Sequence, residues 1–175
     1  MDLEFKNFTD ARISATKDAW MADASSGLAF SSEVSRLIEW ADQNRVPTEL
    51  DAAGYGVFHK HKSVALGICE VIVQRKSARS KWVKMLRLHL KPSIDAELQT
   101  GSPDDAMEVF IQSITGVIGL QMAHSATTLK VYGRTNAQLT FLKALVGHIQ
   151  KKFADTQEHS IKSTIEGRFL TIVIS

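Results

Sequence analysis

The chain has 175 residues, of which 44% are hydrophobic and 23% charged, and its formal net charge is +2; this suffices for one well-packed domain and excludes global disorder. The single cysteine, Cys69, excludes an intramolecular disulfide and a cysteine-based zinc site. The opening MDLEFKNFTDAR has no apolar signal core and no run of about 18 apolar residues offers a membrane span, so one soluble cytoplasmic domain over residues 1–175 is expected.

Leu3–Phe8 reads as a short first strand, and Thr9 or Asp10 caps a helix over about residues 11–23. After SSGLAFSS, Ser31 or Ser32 opens a second helix on the stripe Val34, Leu37, Ile38 and Ala41. Three strand-like runs follow, YGVFH, VALGICEVIVQ and WVKMLRLHLKP, joined by the polar turns HKHK and RKSARSK, which favours antiparallel neighbours. The middle run is apolar almost throughout from Val64 to Val73, as a strand covered on both faces should be. Cys69 within it reads as a buried, inert thiol. In the third run strict alternation places Trp82, Lys84, Leu86, Leu88 and Leu90 on one face and Val83, Met85, Arg87, His89 and Lys91 on the other.

Ser102-Pro103-Asp104-Asp105 is a helix start with acids in its first turn, and the pattern runs to about Met122. TTLKVY, residues 127–132, reads as a strand and Asn136 to Lys152 as a helix. HSIKSTIEGRFLTIVIS closes the chain as a hairpin turning near Glu166-Gly167. The prediction is thus an α+β (mixed α/β) domain with a mostly antiparallel sheet of about seven strands and four helices, in the order β-α-α-β-β-β-α-β-α-β-β.

Charge is uneven along this plan. Residues 1–51 hold 5 Lys/Arg against 10 Asp/Glu, whereas residues 52–92 hold 9 against 1. A basic centre of this kind fits solvated turns and strand edges, or an acidic partner or ligand. The candidate contact residues are Arg75, Lys76, Arg79, Lys81, Lys84 and Arg87. With Trp82, the stretch 75–84 also has the composition to touch phosphates and stack a base, which keeps nucleic acid as an alternative partner. His59 and His61 read as a solvated pair in a lysine-rich turn, and no metal is expected.

The order of elements, over essentially the whole chain, resembles that of the GNAT-type N-acetyltransferases. LHLKP at the end of the fourth strand is similar to that family's strand ending near a proline, and TNAQLTFL resembles its N-x-x-A-x-x-x-Y segment. The resemblance implies an acetyl-CoA pyrophosphate loop, Q/R-x-x-G-x-G/A, between the fourth strand and the next helix. Here that interval reads SIDAELQTGSPDDAM, with Gly101 as its only glycine, while Pro103 lacks an N–H and Asp104 and Asp105 would repel a diphosphate. On that ground no cofactor is expected and acetyl-CoA is disfavoured.

The resemblance further implies a Glu or a water as general base and a Tyr as acid, but Phe141 stands near the position of that Tyr. The candidates for catalysis are His89, near the splayed end of the fourth strand, Glu70, the lone acid of the basic centre, and Tyr132 at a strand end. Glu70 reads equally as an ion-pair partner of Arg87, and Tyr132 as a packing residue. The leading expectation is an acetyltransferase-like domain that is not catalytic and acts by binding a protein partner or ligand. Its alternatives are an active N-acyltransferase with an atypical cofactor loop and a nucleic-acid module. Pairing as a homodimer is also expected, with FLTIVIS as an apolar edge.

Overall fold

The computed structural model describes residues 2–46, 52–74, 81–133, 135–153 and 161–174. In chain order the elements are β1 (Leu3–Asn7), α1 (Asp10–Ser25), α2 (Ser31–Gln43), β2 (Ala53–His59), β3 (Ala65–Val73), β4 (Trp82–Leu90), α3 (Pro92–Gln99), α4 (Asp104–Ala123), β5 (Thr128–Tyr132), α5 (Asn136–Phe153), β6 (Ile161–Glu166) and β7 (Phe169–Ile174). The strands form one sheet in the order β1-β2-β3-β4-β5-β7-β6. Among the described residues only the β4–β5 pair is parallel. The expected α+β plan is therefore present with one addition, helix α3, where the sequence pattern predicts no helix. The expected apolar edge is also corrected: Phe169–Ile174 of FLTIVIS forms β7, which is paired with β5 on one side and β6 on the other.

Each face of the sheet carries its own core. On one face α1 and α2 cover it, with Trp20, Val34, Ile38 and Ala41 packed on Phe58 and Ile68. On the other, Val109, Phe110, Ile114 and Val117 of α4 and Leu142 of α5 pack on Val71, Met85, Leu129 and Leu170. Helix α4 has the length and hydropathy of a membrane span, but these side chains seat it on the sheet. Gly116 makes that seat possible at the sheet edge, because a Cβ there would lie 2.1 Å from the Phe5 ring.

Helix α1 is docked by polar groups as well as by apolar ones. Thr9 caps it, its Oγ1 accepting from Arg12 N–H at 3.3 Å. One turn apart, Thr16 Oγ1 accepts the Ala65 N–H at 3.0 Å and Trp20 Nε1 donates to the Ala65 carbonyl at 2.7 Å. Ala65 lies beside a bulge, since Val57 opposes Gly67 while Phe58 opposes Ala65, leaving Leu66 as the extra residue. The two α1 side chains thus serve backbone groups at an irregular point of the ladder.

A second bulge shapes β4. Glu70 opposes Arg87 and Val71 opposes Met85, so Leu86 is the extra residue. An inserted residue reverses the alternation beyond it. Val83 and Met85 before the bulge and Leu88 after it therefore face the α4 core, with Leu90 packed against it. This corrects the strict alternation expected for β4. The reversal puts Arg87 and His89 on the side of α1 and α2.

Candidate functional site

The β4–β5 ladder runs from Trp82–Thr128 to Met85–Val131 and stops at the bulge. Beyond it, among the described residues, Leu86–Leu90 have no strand partner on the β5 side. A cleft of about 810 Å³ opens there, lined by Trp40 and Leu37 of α2, Glu70 of β3, Arg87 and His89 of β4, Asp95 of α3 and Thr135 and Gln138 at the start of α5. Its size lies within the range of roughly 300–1,000 Å³ typical of small-molecule sites.

At its floor Glu70 Oε1 stands 3.6 Å from both Arg87 Nη1 and His89 Nε2. The carboxylate is mostly buried and Arg87 is exposed, while His89 Nε2 is buried without a hydrogen-bond partner. Two of the three catalytic candidates, Glu70 and His89, are thus brought together, with Arg87 beside them. The third, Tyr132, is not among the residues lining the cleft, and its ring packs on Phe169 with centroids 5.0 Å apart. Phe141 packs edge-on against Phe110 at 4.9 Å in the α4 core. Cys69 is buried, which pushes its thiol up to about 12.

Of the basic candidates among the described residues, Arg87 lines the cleft and Lys81 and Lys84 do not. Lys84 Nζ lies 4.2 Å over the Trp82 ring, and Lys81 is exposed, its carbonyl accepting from Thr127. Arg75, Lys76 and Arg79 lie outside the described residues.

At the far end of β4 the chain enters α3, with Pro92 at its first position. Asp23 of α1 reaches this turn: its Oδ2 accepts the Ser93 N–H at 3.0 Å and lies 3.2 Å from Lys91 Nζ, which also bonds Ser93 Oγ at 3.0 Å. Burial pushes the Asp23 carboxyl up, but the hydrogen bonds from Ser93 and Lys91 outweigh it and hold the group below its ordinary value of 3.8. A folded-state value below the unfolded one adds stability that is complete above the unfolded value and lost as pH falls through the folded one. The thermal midpoint of the protein should therefore exceed that of Asp23→Asn at neutral pH, with the gap narrowing as the pH falls below the ordinary value of 3.8. A gap that persisted to the lowest pH would show that the carboxylate charge is not what holds the turn.

A seven-stranded sheet whose parallel fourth and fifth strands part at a bulge beside a cleft is the GNAT-type N-acetyltransferase fold, and the chain shares that fold. It is similar to the solved structure of AtaTR bound with acetyl-CoA, with a TM-score of 0.51 and 15% identity over 97% of this chain and 92% of that one. It is likewise similar to the KacTA–DNA complex, at 0.52 and 15% over 97% and 91%. A mutant AtaT toxin bound to the C-terminus of the antitoxin AtaR and acetyl-CoA matches at 0.50 and 14% over 98% and 92%. No family model matches the chain, and no curated protein does.

These findings overturn the expectation that no cofactor is involved, because structures sharing this fold carry acetyl-CoA. The physical premise fails too. Asp104 and Asp105 are expected on the helix that follows the fourth strand, but α3 occupies that position and the two aspartates begin α4, the next helix. The flank of β4 from Leu86 to Leu90 has no strand partner on the β5 side among the described residues, which leaves backbone groups there open to an extended polar chain.

Residues that sequence reasoning missed are Asp23, Trp40, Thr135 and Gln138. Thr135 carries a readable signal: its Oγ1 accepts the Gln138 N–H at 3.1 Å, the spacing of a capping box that opens α5 at the cleft.

Proposed function

We propose that this domain is an N-acyltransferase that takes its acyl group from an acyl-CoA and works through Glu70 and His89. The observation that carries the reading is the pairing of Glu70 with His89 and Arg87 at the bulge where β4 leaves β5. Bound along the free flank of β4, an acyl-CoA supplies a thioester carbonyl carbon, to which an acceptor amine nitrogen bonds as the C–S bond breaks and the leaving sulfur takes a proton. The chain's share is proton handling and positioning. Glu70 Oε1 accepts the proton that the amine sheds, directly or through one water, and His89 Nε2 offers a second site for it within reach. Arg87 holds the carboxylate against the sheet. Trp40 and Leu37 make one wall apolar, so that water is partly excluded and the acceptor is oriented.

Titration calorimetry with acetyl-CoA tests the donor. Binding with a dissociation constant on the order of micromolar is expected. Absence of binding at about 1 mM, which corresponds to only about 4 kcal/mol, sinks the reading.

A second reading, action through a bound protein partner, draws on the α1–α2 corner beside the cleft, where Leu28 is 44% and Phe30 74% exposed. Such a partner would cover the cleft mouth, so the two readings share one surface. The nucleic-acid alternative gains less, because Lys84 covers one face of the Trp82 ring that would stack a base.

A further inference from the structure

The free flank of β4 runs from the bulge at Leu86 to Leu90 and then directly into Lys91 and the first turn of α3. If the thioester lies at Glu70 and His89, as the proposed function requires, an arm laid along that flank delivers its far end to this turn. An incoming anion would find the turn already served. Asp23 takes the Ser93 N–H and neutralises Lys91, which is itself tied to Ser93 Oγ. Pro92 has no N–H to give, and Asp95, lining the cleft in the same turn, adds a further carboxylate. At this turn the Ser93 N–H and the Lys91 charge are therefore taken up from within the chain, by an acid that arrives from α1.

We propose that the cleft recognises its donor by the acyl-pantetheine arm alone and leaves the diphosphate unanchored, so that acyl thioesters of pantetheine lacking the ADP portion are accepted as readily as acyl-CoA. The inference rests on the acyltransferase reading and deepens it by naming the donor class. Asp23 is on this view a specificity-determining residue. It does not touch the reacting atoms.

Calorimetric titration of the intact protein with acetyl-CoA and with S-acetyl-pantetheine tests it. A site that anchors a diphosphate through charge-assisted hydrogen bonds would hold acetyl-CoA roughly a hundredfold more tightly than S-acetyl-pantetheine. The expected result is affinities equal within about threefold, and an acetyl-CoA affinity that changes little between low and moderate salt. A preference for acetyl-CoA of about thirtyfold or more overturns the inference while leaving the acyltransferase reading in place. Failure of both ligands to bind overturns both. Asp23→Asn, which keeps an acceptor for the Ser93 N–H but frees the Lys91 charge, should tighten acetyl-CoA about tenfold and S-acetyl-pantetheine not at all. Equal affinities in that variant, with its folded circular dichroism spectrum retained at the temperature of the titration, would remove Asp23 as the excluding group.

Discussion

Glu70→Gln lowers the rate of acyl transfer from acetyl-CoA by roughly 10²–10⁴-fold, the range lost when a positioned general base is removed. The substitution keeps the size and shape of the side chain and deletes only its capacity to take a proton. Its effect on folding should be small, because Arg87 is 57% exposed and is not left as a buried, unpaired charge. The thermal midpoint is the control, and it should fall by no more than about a few degrees. Acetyl-CoA affinity should be unchanged, since Glu70 acts on the acceptor's proton and not on the arm along β4. Steady-state rates with an amine acceptor, measured beside calorimetry, separate the two quantities. A variant that retained half the rate would transfer the role to His89. His89→Gln should then show the large loss instead.

Trp20→Ala should have the largest effect on stability, about 3–5 kcal/mol by the usual cost of emptying a buried tryptophan site. Trp20 is 1% exposed at the centre of the α1–α2 core. It carries a second function that a purely apolar residue could not replace, because its Nε1 satisfies the Ala65 carbonyl beside the β3 bulge. Trp20→Phe separates the two contributions. It retains most of the ring contact and loses the hydrogen bond, which should cost about 1–3 kcal/mol for an orphaned buried carbonyl. Chemical denaturation of both variants at neutral pH checks the ordering. If the two proved equally destabilised, packing would not be the main contribution of the tryptophan.

The expected number and order of strands hold because the signals are local: alternating or continuous apolar runs punctuated by polar turns. The α2 stripe of Val34, Ile38 and Ala41 is buried as its spacing requires. Helix α3 escaped because it is only eight residues long and places just Pro92 and Ile94 in the core, too little for a period to emerge. Its absence from the sequence reading displaced Asp104 and Asp105 onto the wrong helix, and the mistaken view of the cofactor followed. The Leu86 bulge left no mark either, since an inserted strand residue need differ in no way from its neighbours. Strict alternation therefore set Leu88 and Arg87 on the wrong faces.

The site was legible to the extent that it is built by one register. Glu70 stands out in sequence as a lone acid among bases, and β3–β4 pairing brings it to Arg87 and His89. Asp23 gave no such sign. It is one of several acids on an acidic helix, and the turn it serves lies 70 residues further along the chain. Only the packing of α1 across the end of β4 joins them.

The side chains of Thr16, Trp20 and Asp23 recur at intervals of four and three residues along α1, and each holds a backbone group of another element: Ala65 twice and Ser93 once. The helix is thereby keyed to the start of β3 and the start of α3, which lie side by side where the Lys91 N–H bonds the Leu66 carbonyl. A slide by one residue or a rotation about its axis would break all three attachments together. The wall of the cleft and the start of α3 should consequently loosen as a single cooperative unit, with the amides of Ala65 and Ser93 reporting the same opening event in hydrogen exchange.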